Sequence, residues 1–144
     1  MPAIAWMLII FAASSDLGSA EHTSRFLIPF LRWLTPDISL ATLAAVQLSI
    51  RKAAHLTEYA ILGALLFRAV TAPNGWPRWH YAAAVAIVVA GAFAALDEFH
   101  QTFVQSRTGS SHDVLIDTSG AALGLILWWV FTRRRQKARA PAIA

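Results

Sequence analysis

Three apolar runs, at residues 52–71, 80–103 and 114–132, each approach the ~20 residues that carry a helix across the hydrocarbon core of a bilayer. A chain with so much of its length in such runs must satisfy its backbone internally, and packed helices do so. Composition agrees: 57% of the 144 residues are hydrophobic and 14% charged, against roughly 25% charged in soluble domains. The expected fold is all-α, a small transmembrane bundle forming a single domain over residues 1–144. Cysteine is absent, which excludes disulfides and thiolate metal sites.

A further apolar stretch at residues 3–13 is too short for a full crossing. It reads as a tucked or tilted first helix, or as the remainder of one that begins upstream; its flank does not suggest a removed signal peptide. The bundle thus has about four spans, the first one short. Residues 14–24 read as a loop. Residues 25–34 mix aromatics, aliphatics and two arginines around Pro29, which suits a helical or bent segment in the membrane interface. Thr35, Pro36 and Asp37 then look like a cap, a first helical position and a favourable first-turn charge. The following stretch to residue 50 is moderately apolar and contains Gln47, which suits either the rim of the bundle or a partial span. Residues 73–77 supply turn chemistry, and Trp76, Trp79, Trp128 and Trp129 fall near predicted helix ends, where indoles are comfortable.

The net charge of +4 owes much to the tail, with Arg133, Arg134, Arg135, Lys137 and Arg139 directly after the last apolar run. Residues 133–144 read as a basic cytoplasmic tail anchored at the membrane rather than as a nucleic-acid patch. Arg68 and Arg78 share its side in this topology, which makes both termini cytoplasmic. Arg25, Arg32, Arg51, Lys52 and Arg107 fall on the other side and count against that orientation.

The chemistry lies in the polar groups these helices carry. RKAAHLTEYAILG, residues 51–63, places Lys52, His55, Glu58, Tyr59 and Gly63 on one side of a helix. LDEFHQTF brings Asp97, Glu98 and Gln101 to the end of the next. GSSHDVLID opens the last, with Ser110 and Asp113 at the spacing of a capping box and Asp117 a turn deeper. At ~1.5 Å per residue, Glu58, Asp97, Glu98 and Asp117 all fall ~10 Å from one end of the bundle. Charge inside a bilayer costs roughly 2.5 to 3.5 kcal/mol per residue and usually faces a bundle interior. A common depth therefore predicts one polar pocket, with Gly63, Gly91, Gly120 and Gly124 letting helices approach beneath it.

Each residue also has a structural reading. Asp113 suits a cap, and Glu58 suits an ion pair with Arg51, His55 or Arg107. His55 is suited either to acid–base work or to orienting Glu58. Arg107, before a helix start and near Arg51 and Lys52, makes an anion seat or a lipid-headgroup contact. His55, Glu58, Asp97, His100 and Asp117 are metal-ligand types, but their spacing matches no zinc pattern, and no metal ligand is assigned. His22, His80 and His112 read as loop or interface residues.

KAAHLTEYAILG, LDEFHQTF and SRTGSSHDVLIDTSGAALG, together with the early SSD, resemble the VanZ-like family of small membrane proteins, named for a component associated with teicoplanin resistance. Three motifs in order cover most of the chain. The resemblance implies a membrane bundle in the cell envelope. It marks Ser14, Ser15, Lys52, His55, Glu58, Tyr59 and Gly63, then Asp97, Glu98 and Gln101, then Arg107, Asp113, Asp117, Gly120 and Gly124. The family name carries no settled reaction and no cofactor, and the short first helix departs from its fuller spans.

Two functions compete. In one, an outward-facing pocket binds an anionic lipid-linked or cell-wall ligand. Its enzyme version has Glu58 or the Asp97 and Glu98 pair as base, His55 as relay, and Lys52 with Arg107 on the anion. Ser14, Ser15, Tyr59, Gln101 and Asp113 complete the lining. In the other, the same polar cluster locks the helices of a non-catalytic membrane scaffold that presents residues 25–50 to another membrane protein. A proton-coupled transporter fits less well, because the acids gather at one end.

Overall fold

The computed structural model describes residues 2–15, 20–71, 79–104 and 109–139. Every element among them is a helix: α1 (Pro2–Ala13), α2 (Ala20–Leu34), α3 (Leu40–Thr71), α4 (Trp79–Gln101) and α5 (Ser111–Arg139). The helices α3, α4 and α5 are long and apolar enough to cross a membrane, and α1 is a shorter apolar helix. At 1.5 Å per residue α1 reaches about 18 Å, short of the ~30 Å core. Predicted features at residues 16–19 and 73–77, with Trp76, Arg78 and Arg107, lie outside the described residues.

The three long helices alternate in direction. Leu56 meets Gly120 and Ala60 meets Gly124, so α3 and α5 run parallel; Glu98 reaches Ser110 while Gly91 faces Thr118, so α4 runs against α5. Apolar burial cannot drive helix association in lipid, and close van der Waals packing takes its place. The sequence supplies it with small residues. Ala82, Ala86, Ala90 and Ala94 form a fully buried stripe along α4. On α3 and α5, a Cβ added at Gly63 or Gly124 would run into the backbone carbonyl of Ala121 or Ala60, and one at Gly120 would lie 2.5 Å from that of Leu56. Gly91, with Thr118 Oγ1 3.5 Å from an added Cβ, is under no such pressure.

Ile10 of α1 completes the core against Tyr59, Leu62, Ala90, Ala94 and Ala121, and the Trp6 indole donates to the Glu58 carbonyl at 2.9 Å. At the other end of the bundle, Trp79 stacks on Trp129 at 5.5 Å, with Arg133 over the Trp129 ring and Arg68 over Trp128. Amphipathic rings and guanidinium groups of this kind belong at a membrane–water interface.

Three local readings are corrected. The loop expected at residues 14–24 gives way to helix from Ala20 onward, because the amphipathic pattern of α2 extends one turn toward the amino terminus. Thr35 does not cap α3: its N–H still bonds Leu31 of α2, and Ser39 accepts the Thr42 N–H at 3.1 Å, so Pro36 and Asp37 lie in the turn. Consequently α3 begins at Leu40, and its first third is continuous with the span rather than a separate rim. His55 lies level with Asp117, so about nine residues of α3, ~14 Å, project past the start of α5. There they carry α2, fastened by Gln47 to Ser24 at 2.5 Å.

Candidate functional site: a buried polar cluster beside a basic groove

Of the polar side chains expected to share a pocket, His55, Glu98 and Asp117 come together. His55 reaches across from α3 to α5, its Nδ1 3.3 Å from Asp117 Oδ1. Asp117 is fully buried, and neither of its oxygens has a hydrogen bond. From α4, Glu98 brings a carboxylate oxygen into the same space: donor atoms of His55, Glu98 and Asp117 all lie within 4.8 Å of one another. Tyr59, one turn from His55 on α3, is buried with its hydroxyl unpartnered.

Asp97 is held more tightly. Ser14 Oγ, at the end of α1, donates to Asp97 Oδ2 at 2.6 Å, and Gln101 Nε2 approaches the same oxygen at 3.3 Å. Ser14, Asp97 and Gln101 are all buried, so the short first helix contributes directly to the cluster.

Glu98 has a second role that local spacing did not reveal. Its Oε2 accepts the Ser110 N–H at 2.7 Å, while Ser110 Oγ accepts the His112 N–H at 3.2 Å. The start of α5 is therefore capped from α4, and the expected Ser110–Asp113 box is replaced by a long-range bond. Gly109 permits the approach, since a Cβ there would lie 2.5 Å from the Glu98 carbonyl. Asp97 and Glu98 also lie shallower than predicted, within about one turn of the end of α4 at Gln101.

Asp113, released from capping, lies 3.9 Å from Arg51. Together with Lys52, Ser110 and His112 they rim a groove of about 610 Å³ between α3 and α5, whose walls include Leu48, Leu56, Leu115 and Ile116. Leu56 and Ile116 are the chain neighbours of His55 and Asp117, so groove and cluster occupy adjoining faces of one helix pair.

Of the other predicted residues, Ser15 Oγ bonds back to Ala12 in α1 at 2.5 Å, Lys52 is exposed on the groove, and Glu58 is half-buried. His100 is stacked on Phe11 at 4.3 Å. Sequence reasoning assigned no role to the Ser110 amide or to Leu56 and Ile116; a backbone donor and apolar walls carry no motif signal.

A family model described as VanZ/LLP1 matches residues 1–132, and the chain belongs to that family. Comparison with curated proteins and with solved structures finds no match.

Proposed function

We propose that this VanZ/LLP1-family membrane protein binds an anionic, lipid-linked ligand of the cell envelope in the groove between α3 and α5. The observation that carries the reading is the division of the groove's lining between polar groups, the cations Arg51 and Lys52 with Asp113, Ser110 and His112, and an apolar wall, Leu48, Leu56, Leu115 and Ile116. That division matches a phosphate or carboxylate headgroup on an acyl or prenyl chain. The groove opens at the end remote from the four basic residues between Arg133 and Lys137, which supports an outward-facing groove and cytoplasmic termini.

The His55–Asp117 pair behind the groove wall supports His55 as a group able to hold a proton beside the bound headgroup. Binding is tested with purified, metal-free protein in nanodiscs of stated composition. Retention of a lipid with a phosphate headgroup is expected to exceed that of a zwitterionic one, and to fall about tenfold in Arg51→Ala/Lys52→Ala, a loss of ~1.4 kcal/mol. Equal retention of the two lipids, or no change in the double variant, would remove the proposal.

The scaffold reading has its own support, because Ser14–Asp97, His55–Asp117 and Glu98–Ser110 each tie two different helices. Alanine at Asp97 that unfolds the bundle in detergent favours it. Alanine that leaves the fold intact and abolishes phenotype in complementation favours the ligand site.

A further inference from the structure

We infer that His55, Glu98 and Asp117 form a binding site for a single divalent transition-metal ion. Each ligand comes from a different long helix, and donor atoms of all three lie within 4.8 Å of one another. Around an ion with bonds of about 2.1 Å, neighbouring donors sit roughly 3.0 to 3.4 Å apart in octahedral or tetrahedral arrangements. The His55–Asp117 separation of 3.3 Å already falls in that range.

Two further observations point to a ligand rather than to a self-sufficient ion pair. Asp117 is fully buried with both oxygens lacking a hydrogen bond, and Glu98 Oε1 is likewise buried and unpartnered. One imidazole does not satisfy three such oxygens. Glu98 Oε2 is meanwhile fixed by the Ser110 amide at 2.7 Å, the kind of outer contact that aims a ligating carboxylate.

Charge leads to the same conclusion. Asp97, Glu98 and Asp117 are buried together, and among the described residues His55 is the buried side chain able to carry positive charge. A divalent ion held by neutral His55 balances Glu98 and Asp117, while Asp97 is held by hydrogen bonds from Ser14 and Gln101. One nitrogen and two carboxylate oxygens suit Zn²⁺ or Mn²⁺; Ca²⁺ takes six to eight oxygens, and Cu(I) takes soft sulfur. Three protein ligands leave a position open for water or an anionic oxygen. Sequence spacing concealed the set because no two ligands share a helix.

The test uses chelator-stripped protein in detergent, with Mn²⁺ alone or Zn²⁺ alone and no added lipid. One ion per chain is expected by mass-spectrometric metal analysis, with electron spin-echo coupling from one histidine nitrogen to bound Mn²⁺. Asp117→Asn and His55→Gln should each weaken uptake at least tenfold, and Asp37→Asn, exposed in the turn before α3, should leave it unchanged. No stoichiometric uptake, bound Mn²⁺ without nitrogen coupling, or uptake indifferent to both ligand variants would overturn the site. The nitrogen signal is read on the unsubstituted chain and does not depend on a variant folding. Because lipid retention is measured without metal, failure here leaves the groove reading untouched, and the reverse holds.

Discussion

His55 Nδ1 and Asp117 Oδ1 face each other at 3.3 Å across the contact between α3 and α5, with Asp117 fully buried. Removing one member of such a pair leaves the other without compensation, at a cost of about 3–5 kcal/mol. His55→Ala and Asp117→Ala are each expected to destabilise the metal-free protein on that scale. The double variant should lose less than the sum by about 1–3 kcal/mol. Denaturant unfolding in detergent measures the cycle, and strict additivity would mean that the two side chains do not interact.

Glu98 caps α5 through the Ser110 amide. Loss of a charged acceptor from this part-buried donor costs up to about 1–3 kcal/mol. Glu98→Ala should therefore lower stability by that amount and speed hydrogen exchange at Ser110. Glu98→Gln, which keeps a carbonyl oxygen, should retain most of the protection. Unchanged exchange in the alanine variant would show that the amide has another partner.

The contact between α3 and α5 depends on missing side chains. Gly124→Leu drives a side chain into the Ala60 carbonyl, and with backbone on both sides the cost should reach or exceed the ~3 kcal/mol of severe overpacking. Gly91→Ala has room beside Thr118 and gains helix propensity, so it should range from neutral to about 1 kcal/mol stabilising. Thermal unfolding of the two variants distinguishes a required close approach from a tolerated glycine.

The contrast between these glycines shows which parts of the architecture are local. Span number and the short first helix follow from run length and hydropathy, which each segment carries by itself. The length of α3 does not, because Arg51 and Lys52 resemble a boundary although the helix passes through them from Leu40. Depth adds along a helix, so the gathering of Asp97, Glu98 and Asp117 was legible. Rotation was not: spacing puts His55 and Glu58 on one side of α3 and leaves open which of them pairs with Asp117. The cap was hidden for another reason, since Ser110 and Asp113 satisfy a local rule while Glu98, twelve residues away, takes the bond.

Arg51 and Asp113 approach at 3.9 Å, with 27% and 17% of their side chains exposed. A solvated pair of that kind contributes about 0.2–1 kcal/mol, so Asp113→Asn should change stability by no more than that. Its effect on the groove should be larger, because the carboxylate is the acid lining that rim and offsets the field of Arg51 and Lys52. Neutralising it leaves the cations with the headgroup as their nearest anion. Retention of a phosphate-headgroup lipid should rise several-fold in Asp113→Asn, the gain shrinking as salt is raised from 50 to 500 mM, where the screening length falls to roughly 4 Å. A gain that persists undiminished at high salt would assign the effect to altered packing at the start of α5, and a loss of retention would make Asp113 a ligand contact in its own right.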